Sequence, residues 1–157
     1  ENGFLEFKVE KPRTVMDMDG SSLAFALDPG RIYINTKDRF PNAITLASEK
    51  ARIVADISAG LKALNNDGRP VVSRVVAKDE AFKGLYKELG PDLVVLANRG
   101  FDIKGLVSSE TLFNRRVFTG MHTQNDAFII TSKDGFADIN EPFHIEGIAG
   151  LVAGALS

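Results

Sequence analysis

One stretch of this chain reads plainly as an amphipathic helix, and the apolar segments around it are short enough to be strands. From Leu46 the apolar residues Leu46, Ile53, Val54, Ile57, Leu61 and Leu64 fall on one face, while Lys50, Arg52 and Asp56 lie on others. Thr45 is placed to cap the start. Asn65-Asn66-Asp67-Gly68, followed by Pro70, stops the run. A chain with one such helix between short apolar runs is expected to be α/β.

The flanking segments fill in that expectation. Residues 4–9 read as a short strand, and the Met16–Gly20 run as loop. Residues 24–27 are apolar, Asp28-Pro29-Gly30 is a turn signal, and Arg31 to Asn35 alternates, so a β-hairpin is expected. Proline suits the first central turn position and glycine supplies positive φ at the second. Residues 36–44 are polar, contain Pro41 and read as loop. Residues 71–77 read as a strand, and residues 80–89 as a short helix ended by Gly90-Pro91. Residues 92–97 form a continuous apolar run between turn signals, as expected of a strand buried on both faces of a parallel sheet. Residues 98–119 read as loop, residues 126–132 as a strand, residues 133–135 as a turn and residues 145–156 as a C-terminal helix. With 157 residues and neither repeat nor internal linker, the chain reads as a single domain or part of one.

Composition excludes several functions. The chain has no cysteine, so thiolate zinc sites, disulfides and cysteine nucleophiles are absent. Nineteen basic against 21 acidic residues give a net charge of −2, which provides no field for nucleic acid or an anionic membrane. No apolar run reaches the ~18 residues of a membrane span. The sequence begins at Glu1 without the ordered regions of a signal peptide, and an upstream portion is expected.

The motif inventory is sparse. The phosphate-binding, dinucleotide-binding, nucleophile-elbow and HExxH patterns are missing. Residues 134–141 carry three carboxylates but lack the order of a calcium loop, and read as a solvated turn. Only His122 and His144 are histidines. His144 precedes the last helix and reads as a helix-start or packing residue. His122 follows Gly120-Met121 and precedes an apolar strand. It stands at the amino end of that strand, whereas open α/β sheets bind ligands at carboxyl ends, so the geometry is mixed and a lone histidine is more often structural than a metal ligand. Arg115-Arg116 could meet a phosphate but reads better as a solvated or salt-bridged pair. Ser108-Ser109 has no neighbouring base in sequence. Gly150 and Gly154 have the spacing of close helix packing.

Three stretches add a resemblance. Residues 24–44, AFALDPGRIYINTKDRFPNAI, resemble a recurrent segment, R-(V/I)-Y-(V/I)-N-L-K-G-R-x-P-x-G, of the type I phosphodiesterase/nucleotide pyrophosphatase family within the alkaline phosphatase superfamily. Arg31, Ile32, Tyr33, Ile34, Asn35, Lys37, Arg39 and Pro41 match; Thr36, Asp38 and Ala43 depart. Residues 119–132, TGMHTQNDAFIITS, are similar to the family's late G-x-H segment, and residues 91–105 resemble it in order and spacing.

The resemblance implies a partial alkaline-phosphatase-like three-layer α/β/α fold with a mainly parallel sheet. It implies two divalent metal ions, zinc by family habit, a Thr or Ser nucleophile and a phosphate-ester substrate, in a two-metal site. It makes His122 a metal ligand, with Asn125 and Asp126 as candidates to orient it. The family's nucleophile and other ligands lie upstream of the R-I-Y-I-N run, and nothing before Ala24 matches them. Residues 1–157 are therefore expected to be the C-terminal part of a larger catalytic domain. Catalytic zinc takes about three protein ligands, so this part alone is expected neither to hold the metals nor to hydrolyse phosphate esters. Its uncovered sheet edges and apolar face leave it open to self-association. Two rival expectations are a non-catalytic interaction module standing by itself and a phosphatase-like or phosphoglycerate mutase-like member of the same superfamily.

Overall fold

The computed structural model describes residues 3–10, 14–115, 117, 120, 128, 130 and 145–156. The chain divides into two compact units, Glu1–His122 and Thr123–Ser157.

The first unit is built on a four-stranded sheet. Strands β1 (Ala24–Asp28) and β2 (Arg31–Ile34) form the expected hairpin. Gly30 sits at φ +71°, and a Cβ there would come within 2.7 Å of the Val95 carbonyl oxygen. The turn therefore needs glycine both for its backbone angle and for the close approach of a neighbouring strand. Helix α1 (Lys50–Lys62) follows. A second hairpin joins β3 (Asn65–Asn66) to β4 (Arg69–Pro70). Its two-residue turn has positive φ at both Asp67 (51°) and Gly68 (76°), the mirror-image turn that Asp-Gly favours. The residues that stop α1 thus also fold back on themselves.

Strand β5 (Val72–Ala77), the four-residue helix α2 (Lys78–Ala81) and strand β6 (Leu93–Ala97) complete the sheet, in the order β1-β2-β6-β5. Strand β6 pairs antiparallel with both β2 and β5. Strands β2 and β5 consequently run in the same direction, with α1 on the connection between them and β6 inserted later.

This arrangement corrects one expectation. Residues 92–97 were expected in a parallel sheet, and every pairing among the named strands is antiparallel. A central strand is enclosed by two neighbours whichever way they run, so its apolar composition carries no sign of direction. The α/β class stands, because α1 covers the sheet. Ile53 and Ile57 pack with Ala24, Ile34 and Leu93 in one buried cluster. Val71, Val72 and Val95 form a second, flanked by Phe101, Ile103 and Phe113. Leu61, in the last turn of α1, touches both clusters. Full burial of one such aliphatic side chain contributes about 1.5–3 kcal/mol.

Three local expectations also change. Residues 80–89 do not form one helix: α2 ends at Ala81, Phe82 is extended, Gly84 sits at φ +87°, and a single 3₁₀ turn occupies Lys87–Leu89. Leu85, Tyr86 and Leu89 are exposed, so the segment has no buried stripe to hold a helix. Thr45 does not cap α1. It is buried in a bridge with Thr36, and a 3₁₀ turn over Ala47–Glu49 precedes the helix, with the Leu46 amide donating to Glu49 Oε2 at 3.0 Å. Residues 4–9 contribute one isolated bridge, Phe7 to Met18, in place of a strand, and Val15–Asp17 forms a 3₁₀ turn capped by Thr14.

In the second unit, a 3₁₀ turn over Ile145–Gly147 leads into helix α3 (Ile148–Leu156), as the sequence suggests. The strand and turn expected over residues 126–135 lie outside the described residues, apart from Phe128 and Ile130, which carry no strand assignment. No helix among the described residues is long and apolar enough to cross a membrane.

Candidate functional site

His122, the metal ligand implied by the resemblance, lies outside the described residues, as do His144, Asn125, Asp126, Arg116 and residues 134–141. Among the described residues, no group of three His, Asp or Glu side chains is placed to hold a metal ion. Arg115 is exposed. Ser108 and Ser109 are exposed too, and Ser109 Oγ donates to the Thr111 carbonyl at 2.8 Å. No histidine stands among the described residues to activate either hydroxyl.

The strongest polar constellation is one that no motif announced. Asp92, immediately before β6, has a side chain only 1% exposed. Its Oδ2 accepts the Ile34 amide at 2.7 Å and the Arg39 guanidinium at 3.0 Å. Its Oδ1 has no well-directed hydrogen bond but faces the ammonium of Lys50 at 2.6 Å and that of Lys78 at 3.6 Å. Three cations from three segments therefore converge on one sealed carboxylate. Arg39 is fixed further. It donates to the carbonyls of Leu89 (2.9 Å) and Gly90 (2.5 Å) and lies over the rings of Tyr33 and Phe40.

The rim of this knot is a chain of ion pairs. Lys78 Nζ donates to Glu88 Oε2 at 2.7 Å, and Lys87 pairs with Asp79 at 2.9 Å. Partial burial pulls the Lys78 pKa down, but the hydrogen bond to Glu88 and the charges of Asp92 and Glu88 outweigh it. The net effect holds the ammonium above its ordinary value. The same hydrogen bond from Lys78, with its charge, holds Glu88 below the usual carboxylate range. The hydrogen bond and charge of Lys87 hold Asp79 below the usual carboxylate range, and those of Asp79 hold Lys87 above its ordinary value.

The chemistry open to this cluster follows from its occupancy. Both oxygens of Asp92 already face donors or cations, and no face of the carboxylate is open to a substrate. The knot ties the loop after β2, the first turn of α1, α2 and the start of β6 to one point. Its role is architectural.

The residues matched to the family run are placed by the same fold. Ile34 is fully buried. Asn35 is buried and its Nδ2 donates to the carbonyls of Gly20 (3.1 Å) and Ser22 (2.8 Å). Tyr33 stacks on Phe25 with centroids 5.6 Å apart. Arg39 reaches Asp92. Sequence reasoning noted Arg39 as a match but missed Asp92, Lys50 and Lys78. The only signal was an acidic residue abutting an apolar strand.

A second feature lies at the far end of β6. Arg69, Pro70, Asn98, Arg99 and Phe101 line an open cleft of about 360 Å³. Comparison of the chain with protein-family models, with curated proteins and with solved structures returns no match.

Proposed function

We infer that this chain is the C-terminal part of a metal-dependent phosphoric ester hydrolase of the type I phosphodiesterase/nucleotide pyrophosphatase kind, inactive without the upstream part. The observation that carries the reading is the run of residues 24–44 together with the Gly120-Met121-His122 segment in the order the family uses. Within the run, Ile34 is buried, Asn35 is bonded to the carbonyls of Gly20 and Ser22, and Arg39 is bound into the ion knot, so these matched residues have structural roles in this fold. The chemistry itself rests on His122. No metal site forms among the described residues, and His122 lies outside them. The three-layer, mainly parallel architecture belongs to the same proposal for the larger protein, with the antiparallel sheet described above as one part of it.

The test is hydrolysis of bis(4-nitrophenyl) phosphate by the full-length gene product after zinc loading, alongside residues 1–157 alone. The expected result is turnover by the full-length protein and none by residues 1–157. A zinc-loaded full-length protein that leaves this ester and a 4-nitrophenyl nucleotide ester untouched overturns the reading.

A second reading, a non-catalytic interaction module, is supported by one specific feature. Leu85, Tyr86 and Leu89 stand exposed on a single short segment, an apolar ridge that a partner could cover. It predicts that no longer product of the gene hydrolyses phosphate esters.

A further inference from the structure

We propose that the cleft between the β3–β4 hairpin and the loop after β6 is an oxyanion site for a phosphate monoester, with Arg69 and Arg99 as its cationic groups. Three independent observations meet there. The first is the open cleft itself, with both arginines in its lining. The second is charge. Arg39, Arg52 and Arg74 pair with Asp92, Asp56 and Glu80, whereas Arg69 and Arg99, like the exposed Arg31 and Arg115 elsewhere, have no carboxylate partner among the described residues. Asp102, the acidic residue that follows in the same loop, is taken by Lys104 at 2.5 Å. Two arginines without carboxylate partners in the lining of one cleft favour an anion, and a guanidinium's planar fork suits phosphoryl oxygens.

The third observation is pre-organisation. The Arg69 guanidinium lies 5.2 Å from the centroid of the Phe101 ring and donates to the Arg99 carbonyl at 3.4 Å. Gly100, at φ +98°, brings the loop backbone so close that a Cβ there would stand 2.8 Å from Arg69 Nη2. Asn98 clamps the two walls together, its amide nitrogen donating to the Pro70 carbonyl at 2.9 Å and its backbone amide to the Val71 carbonyl at 2.8 Å. An arginine held in place before the ligand arrives gives up less rotamer freedom on binding. Pro70 and Phe101 supply an apolar wall for the organic part of an ester, so an aryl phosphate fits the lining better than the inorganic ion.

The site stands apart from the hydrolase reading. A larger protein could cleave phosphoesters without it, and it could bind an anion without any hydrolysis. The test uses residues 1–157, titrated at low salt with phenyl phosphate and with inorganic phosphate. Binding is followed by calorimetry and by the arginine Nε–H resonances. The expected result is saturable binding of phenyl phosphate, tighter than that of phosphate, with the Arg69 and Arg99 resonances moving together. Arg99→Gln is expected to weaken it about tenfold, the scale of one charged hydrogen-bonding group. Arg52→Gln, the same charge change on an exposed helix face, is expected to leave it within about twofold, as befits a distant surface charge. Phe101→Leu should narrow the preference for the aryl ester. Absence of saturable binding, or equal loss in Arg99→Gln and Arg52→Gln, overturns the proposal.

Discussion

Replacing Asp92 by Asn tests the ion knot at its centre. The two side chains have nearly the same shape, so the change removes a charge with little loss of volume. Arg39, Lys50 and Lys78 would then face one another around a neutral amide, with side chains 17%, 33% and 11% exposed. Removing one partner of a buried ion pair costs about 3–5 kcal/mol. Lys50 is the most open of the three and can relax toward water, which pushes the figure to the lower end. The amide must also turn one N–H toward a cation or toward the Ile34 amide, which adds about 1 kcal/mol. The expected loss is about 3–4 kcal/mol, a large part of the 5–15 kcal/mol that holds an ordinary domain together. Lys50→Met, by contrast, removes a partly solvated cation and should cost about 1 kcal/mol or less. Urea unfolding followed by circular dichroism gives both numbers by linear extrapolation. A loss below about 1 kcal/mol for Asp92→Asn, at an unchanged urea slope, would refute the knot as the clamp on this sheet.

Further outcomes follow from individual residues. The raised pKa of Lys78 stabilises the fold fully below the unfolded lysine value, and that contribution is lost as pH rises past about 10.4 and through the folded value. Lys78→Met should therefore flatten the alkaline limb of stability against pH, and a limb parallel to the wild type would contradict the assignment. Thr45 Oγ1 is buried without a hydrogen-bond partner, so Thr45→Val should gain about 1 kcal/mol in the same unfolding assay; a loss of similar size would mean that the hydroxyl is satisfied in solution. Gly30→Ala places a methyl against the Val95 carbonyl at a φ that disfavours it. Thermal unfolding should show a cost of about 2 kcal/mol or more, and a change within experimental scatter would refute the close approach.

The parts of the fold legible in the sequence are those set by local chemistry. Asp28-Pro29-Gly30 announces the first hairpin because its turn demands those residues. The stripe from Ile53 to Leu61 announces α1 because only one face meets the sheet. The direction of β6 was illegible for a physical reason: pairing partners come from distant segments, and the apolar run is the same for either orientation. The start of α1 shifted because Thr45 is drawn into a bridge with Thr36, which local capping preference does not anticipate. The ion knot was hidden likewise. Asp92 has meaning only once Arg39, Lys50 and Lys78 arrive beside it, and each reads separately as an ordinary surface charge. The Asp67-Gly68 turn was legible in principle, since the pair signals a tight hairpin as well as a helix stop.

The hydrolase account depends on His122 coordinating zinc together with residues from outside this chain. The most direct measurement is the zinc content of the full-length protein after gel filtration, by elemental analysis, for the wild type and for His122→Ala. The account predicts bound zinc in the wild type and a clear fall in zinc per chain in the variant, with unfolding behaviour otherwise retained. Equal zinc content in the two proteins, or none in the wild type, would contradict it.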